Sequence, residues 1–170
     1  MRAPWDGSGV SANNVRDALG AFLQTYARWT WWLHVTPRQV VSDGYLRQAF
    51  QNYMLHTARA AGAHVLYLYC VEEASSRWHI HSCVALPRGQ ELDAERLVSI
   101  WRRTCKSAGR TQISRFDPSK EGARYVVKTN DWHIESACAN KGACRRGGCK
   151  KSTNDIAQEL VTTRPAPHDE

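Results

Sequence analysis

The stretch Trp78-His79-Ile80-His81-Ser82-Cys83-Val84-Ala85-Leu86 limits what this chain can fold into more than any other. Two histidines flank one apolar residue inside a run that otherwise reads as a buried strand. Successive strand side chains point to opposite faces. His79 and His81 therefore share a face, with Cα atoms roughly 6–7 Å apart, which lets two imidazoles converge on one metal ion. Ile80, Val84 and Leu86 alternate with them and can face a packed core. A second apolar run, Ala63 to Val71, ends in Glu72-Glu73, and the link Ala74-Ser75-Ser76-Arg77 joins the two runs. The pattern predicts a hairpin with imidazoles on one arm and carboxylates on the other. With two or four residues in the turn, Glu72 lies opposite His79 and Glu73 opposite Trp78, and opposed residues share a face. Glu72 is then the carboxylate that joins the histidines. An odd loop or a bulge would give that role to Glu73.

The rest of the chain is long enough, at 170 residues with 42% hydrophobic, for one domain with a real core. A net charge of +7 favours a polyanionic partner, most simply a nucleic acid. The first residues, Met1 to Gly7, lack the apolar core of a signal peptide, and no apolar run is long enough to span a bilayer. Six cysteines without a secretion signal read as reduced thiols or metal ligands. The expectation is an intracellular, cytoplasmic protein with no membrane partner.

Taken in order, residues 1–10 read as a flexible lead. Ser11 can cap a helix striped by Val15, Leu19, Phe22, Leu23 and Tyr26. Trp29 to Thr36 follows as a strand, with Trp29, Trp31, Leu33 and Val35 on one face and Thr30, Trp32, His34 and Thr36 on the other. Pro37 stops it. A helix over about Asp43–Ala61 ends at Gly62. The hairpin comes next. Leu92, Leu97, Ile100, Trp101 and Cys105 stripe a third helix, ended by Gly109, and Thr111 to Phe116 is a short strand. Asp117, as N-cap, and Pro118, at the first position, open a last helix that runs to about Thr129. From the first strand onward the order is β-α-β-β-α-β. The fold class is therefore α+β, a ferredoxin-like antiparallel sheet with an extra N-terminal helix and a C-terminal helix. The first and third strands lie at the centre. If Ile80 and Val84 face the internal helices, His79 and His81 face the open side, and Trp32 and His34 join them there. The last helix is the only element expected to cross that side.

That helix carries Tyr125 and Lys128, three apart and so on one face. A phenol and an ammonium over two imidazoles and a carboxylate suit attack on a phosphodiester. A metal polarises a phosphoryl oxygen, the phenol forms a reversible covalent phosphotyrosine, and lysine neutralises developing charge.

Trp78-His79-Ile80-His81, followed at this distance by Tyr125-Val126-Val127-Lys128, resembles the HUH-superfamily endonuclease domain of rolling-circle replication initiators, the Rep proteins. Trp31-Trp32-Leu33-His34-Val35-Thr36-Pro37 is similar in position to the first motif of that family, and Ser114-Arg115-Phe116-Asp117 fits the lead into its tyrosine helix. The resemblance covers about residues 28–130, within a domain read as 11–130. It implies a nickase that uses Mg²⁺ or Mn²⁺ held by His79, His81 and Glu72 (alternatively Glu73). A single-stranded origin site, often on a hairpin, would be cut by Tyr125 with help from Lys128. The enzyme would stay on the 5′-phosphate, leave a free 3′-hydroxyl for a host polymerase, and rejoin ends later. Thr129 stands where two-tyrosine relatives repeat the tyrosine, so the chain looks like the single-tyrosine type. Gly147-Gly148-Cys149-Lys150-Lys151-Ser152 lacks the spacing of a phosphate-binding loop, so unwinding would come from a host helicase. The resemblance puts the protein in the host nucleus if it comes from a eukaryotic virus. Trp32, His34, Arg124, Arg145 and Arg146 are the candidate DNA contacts.

His133, Cys138, Cys144 and Cys149 place four ligand types in a short stretch within residues 131–151, a candidate structural zinc loop. The rival reading is a basic arm, Lys141 to Arg146, on DNA phosphates. Residues 152–170 read as a short helix and a loose tail. Two other functions remain open: a single-tyrosine transposase or relaxase with the same chemistry, and a basic nucleic-acid-binding module without catalysis. Metal-dependent cleavage separates the last from the others.

Overall fold

The computed structural model describes residues 12–128 and 131–139. Its elements are α1 (Ala12–Tyr26), β1 (Trp31–Pro37), α2 (Asp43–Ala61), β2 (Val65–Ala74), β3 (Arg77–Ala85), α3 (Ala94–Thr104), β4 (Ala108–Arg115), a 3-10 turn (Pro118–Lys120), α4 (Gly122–Val127) and β5 (Trp132–Ala137). The strands form one antiparallel sheet in the order β4-β1-β3-β2-β5. The architecture is α+β, and β1 and β3 sit inside the sheet as expected. It is compatible with a ferredoxin-like arrangement, with β5 added beside β2.

Local chemistry sets most of the boundaries. Ser42 Oγ accepts from the Tyr45 amide at 3.2 Å and starts α2, and Gly62, in the left-handed region, ends it. The Asp93 carboxylate caps α3 by accepting from the Arg96 amide at 2.6 Å. That helix stops at Thr104, ahead of the expected Gly109, because β4 begins at Ala108.

The sheet is covered on both faces. On one, α2 and α3 bury Phe50, Tyr53, Leu97 and Trp101 against Leu33, Val35, Ile80 and Val84. On the other, Leu23, Ala27 and Trp29 meet Leu66, Leu68, Cys83, Ala123, Val126 and Val127. Three expectations are corrected here. The first strand starts at Trp31, and Trp29 belongs to the second cluster, its indole N–H donating to the Leu23 carbonyl at 2.8 Å. The face carrying the histidines is not left to one helix, because α1 packs beside α4. The last helix is not continuous from Asp117. Asp117 caps only the 3-10 turn, accepting from the Ser119 amide at 3.0 Å, and Glu121 at φ 52° then breaks the path before α4. Residues 1–11, Thr129 and the segment from Asn140 onward, with the expected lead, Ser11 cap, short helix and tail, lie outside the described residues. Among the described residues no helix is long and apolar enough to cross a membrane.

Candidate metal and tyrosine site

The hairpin fixes which carboxylate meets the histidines. Its turn holds two residues, Ser75 at φ 53° and Ser76 at φ 60°, the left-handed pair that matches strand twist in a tight hairpin. The register that follows sets Glu72 opposite His79 and Glu73 opposite Trp78. Glu72 Oε2 lies 3.4 Å from His79 Nε2 and 3.3 Å from His81 Nε2. Glu73 is exposed and on the other face.

A third imidazole completes the cluster. His34 on β1 stands directly opposite His81 on β3. Their rings stack with centroids 4.4 Å apart, and His34 lies 5.2 Å from His79. One nitrogen from each of His34, His79 and His81 lies within 4.8 Å of the others, the only such ligand group among the described residues. These three histidines can hold a metal ion. The fit rests on an observation besides proximity. His81 is 7% exposed, and neither of its ring nitrogens makes a hydrogen bond. Its Nε2 lies 3.3 Å from Glu72 Oε2 but outside hydrogen-bond geometry. A buried ring nitrogen without a partner costs free energy unless something else occupies it. Burial, with His34 and His79 beside it, pushes His81 down to about 4. Burial, then His79 and Arg110, also lower His34. Both rings are therefore held neutral, as a ligand must be. Burial pushes Glu72 up, but Lys128, His81 and His79 outweigh it and hold the carboxyl below its ordinary value.

The tyrosine arrives on α4. Tyr125 donates to Glu72 Oε2 at 3.3 Å, and its ring meets His81 edge-on at 4.6 Å. It is 38% exposed, so a substrate can reach it. Lys128 Nζ lies 3.2 Å from Glu72 Oε1 and 3.6 Å from the centre of the Tyr125 ring. Burial lowers the lysine, and the tyrosine and glutamate contacts outweigh it, so its pKa lies above the usual value. Trp32 closes the site on the other side, stacked on His81 at 5.7 Å and edge-on to Tyr125 at 5.9 Å. Beyond it opens a cavity of about 490 Å³ walled by Trp32, Phe116 and Tyr125, with Arg115 and Lys120 at its edge.

Gln24 of α1 holds the start of α4. Its side-chain oxygen accepts from the Ala123 amide at 3.1 Å, and its side-chain nitrogen donates to the Pro118 carbonyl at 2.8 Å. It satisfies polar backbone groups on both sides of the break at Glu121.

The structure adds two residues to the candidate site. His34 was expected as a DNA contact and stands in the imidazole cluster. The signal was its position on the histidine face of a neighbouring strand. Gln24 left no signal, since its role depends on a helix crossing that spacing does not encode.

The remaining candidates lie elsewhere. Arg124 pairs with Glu121 at 2.6 Å on the exposed side of α4. His133 sits on β5, a strand not expected from sequence. It stacks on Tyr69 at 5.2 Å, and its Nε2 meets an Arg47 guanidinium nitrogen at 2.8 Å and Asp131 at 3.1 Å. Arg47 in turn pairs with Asp131. Cys138 Sγ lies 3.8 Å from His64 Nε2. His133 and Cys138 are five positions apart, Cys138 just beyond the end of β5, and each has its own partners, Asp131 with Arg47 and His64 respectively. The structure does not bring these two together around one ion. Cys144, Cys149, Arg145 and Arg146 lie outside the described residues. Compared with known proteins, the chain matches no family model, no curated protein and no solved structure.

Proposed function

We propose that this protein is a metal-dependent endonuclease that nicks and rejoins single-stranded DNA through a covalent 5′-phosphotyrosine at Tyr125, on a ferredoxin-like sheet. The single observation that carries the reading is the meeting of Tyr125 with Glu72. The phenol touches the carboxylate that also faces two buried imidazoles and one ammonium. A nucleophile, a ligand set and a counter-cation thus share one oxygen-lined point. His34, His79, His81 and Glu72 would hold the ion, which when bound polarises a phosphoryl oxygen of the substrate. A donor set with three imidazoles suits Mn²⁺ better than Mg²⁺, which prefers oxygen ligands.

The protein groups divide the remaining work. Glu72 accepts the phenolic proton as the Tyr125 oxygen attacks phosphorus. The bond from phosphorus to the 3′ oxygen breaks, and the phosphate stays on the tyrosine. Lys128, the acid nearest the ring, protonates the departing 3′ oxygen and balances charge on the phenolate. A returning 3′-hydroxyl reverses the sequence and reseals the strand. Rolling-circle initiation at an origin, with a host helicase and polymerase as partners, is the biological role this chemistry suits. Transposase or relaxase action would share every step.

The test uses a pool of single-stranded oligonucleotides with Mn²⁺. The reading expects cleavage that leaves a 3′-hydroxyl, stops on chelation and returns with added metal. Cleavage that continues under chelation, or none across a broad pool, contradicts it.

A further inference from the structure

On β1, Trp32 and His34 are two residues apart and share a face. His81 on β3 stands opposite His34 and diagonal to Trp32, within reach of both side chains. The result is a column of three rings. Trp32 stacks on His81 with centroids 5.7 Å apart and planes 26° from parallel, and His81 stacks on His34 at 4.4 Å and 20°. The column joins the imidazole cluster to the aromatic cavity, because Trp32 is also a wall of that cavity.

What the column does for His81 follows from what His81 lacks. A metal-binding histidine is ordinarily oriented by a hydrogen bond from its second ring nitrogen to a carboxylate, a carbonyl or water. Among the described residues, His81 has no hydrogen-bond partner on either nitrogen. His34, by contrast, has Thr36 Oγ1 3.5 Å from its Nε2. The plane of the His81 ring is therefore set by packing, with Trp32 and His34 stacked on it and Tyr125 edge-on at 4.6 Å. Trp32 is itself confined. Tyr125 meets it edge-on at 5.9 Å, and Gly122 passes so close that a Cβ there would come within 3.1 Å of the indole. The cavity beside it, of about 490 Å³, has room for a nucleobase, and an unpaired base stacks on an aromatic ring.

We propose that Trp32 is a positioning residue for the metal centre, and that an unpaired nucleobase stacked on it in the cavity tightens the hold of the imidazoles on the ion. The base presses the indole onto His81 and narrows the range of angles open to that ring. The ion requires the same narrow range. Each ligand thus lowers the ordering cost of the other, and the coupling is reciprocal. The inference rests on the reading that the imidazoles hold an ion and that single-stranded DNA is the substrate. It adds that the strand helps to assemble the centre that cuts it.

Mn²⁺ affinity is measured by titration calorimetry on Tyr125→Phe, so that no strand is cut. The probe is a short oligothymidine with an uncharged methylphosphonate backbone, which offers bases but no anionic phosphate to ligate the ion. Its control is the same backbone without bases. At saturating probe, Mn²⁺ affinity should rise on the order of 3–10-fold, the worth of one aromatic stack. The affinity for the probe should rise by the same factor when Mn²⁺ is present. The backbone without bases should leave Mn²⁺ affinity unchanged. Trp32→Leu should abolish the rise, and Trp32→Phe, which keeps a ring, should restore most of it, with a melting curve to verify folding. Should Trp32→Leu not fold, the two probes compared on Trp32 itself still decide. An equal rise in Trp32→Leu or with the backbone without bases would overturn the proposal, and so would no rise at all or no binding of the probe. No Mn²⁺ binding with or without the probe would remove the metal-dependent reading and this one with it. Coupling in a protein that, with Tyr125 intact, cuts no DNA would sink the endonuclease reading alone and leave this one standing.

Discussion

Glu72 is the residue on which the other groups of the site converge. It faces His79 and His81, pairs with Lys128 and accepts from Tyr125. Glu72→Ala should lower Mn²⁺ affinity on the order of 10–100-fold by titration calorimetry, while Glu73→Ala should stay within about 2-fold. The reverse ranking would show that the hairpin register does not select the ligand. His81 gives a second expectation at this scale, for stability against pH. Unfolded, its ring takes a proton near 6.5; folded, it resists until about 4. The unfolded state then binds more protons throughout that window. Metal-free protein should therefore keep the full contribution above pH 6.5 and lose stability progressively as pH falls towards 4. A urea midpoint that rises on acidification through this range would contradict the buried, neutral ring. At the residue scale most of the site was legible. Alternation and turn length put His79, His81 and Glu72 on one face, and the three-residue spacing puts Tyr125 and Lys128 on one side of a helix, but neither shows that the two sets meet. The role of His34 was not legible, because alternation gives a face and not a neighbour. Only the pairing of β1 with β3 sets it opposite His81.

At the scale of elements, α4 is too short to hold itself. Its six residues make little more than one turn, below the length at which a helix persists alone. What fixes it is packing on α1 and the two hydrogen bonds from Gln24. Gln24→Ala should cost about 0.5–1.5 kcal/mol, since water can replace part of what those exposed and part-buried backbone groups lose. It should also slow phosphotyrosine formation on the order of 10-fold by misplacing Tyr125, with Mn²⁺ affinity unchanged. Equal loss of metal binding and rate would mean that Gln24 supports the whole fold and not the helix. The hairpin was readable because period-two alternation and a two-residue link leave one register. The start of the last helix was misread because Asp-Pro is also satisfied by a 3-10 turn, and nothing in the spacing marks the break at Glu121. The fifth strand was hidden for another reason. Trp132–Ala137 is short and partly polar, and Glu135 faces the protein only because Tyr67 and Tyr69 donate to it at 2.7 and 3.1 Å.

At the scale of the whole molecule, among the described residues, one sheet separates a layer that holds the larger aromatic core from one that carries the candidate site. The α2 and α3 face buries the larger aromatic core, with Tyr53 and Trp101 fully enclosed. The α1 and α4 face is divided between a small apolar cluster and the histidine, carboxylate and tyrosine groups. The sheet was legible from the order of strands and helices, except for its fifth strand. The sharing of the second face between two helices was not, since the N-terminal helix has no fixed place in a β-α-β-β-α-β order. The central claim is that Tyr125 takes the phosphate. Its most direct test is mass spectrometry of the denatured protein after incubation with the single-stranded DNA pool and Mn²⁺. The account predicts a nucleotide adduct on the peptide that contains Tyr125, absent under chelation. It also predicts no adduct in Tyr125→Phe, whose stability should change by no more than about 1 kcal/mol for the one lost hydrogen bond. An adduct on another residue, or one that persists in Tyr125→Phe, would contradict it.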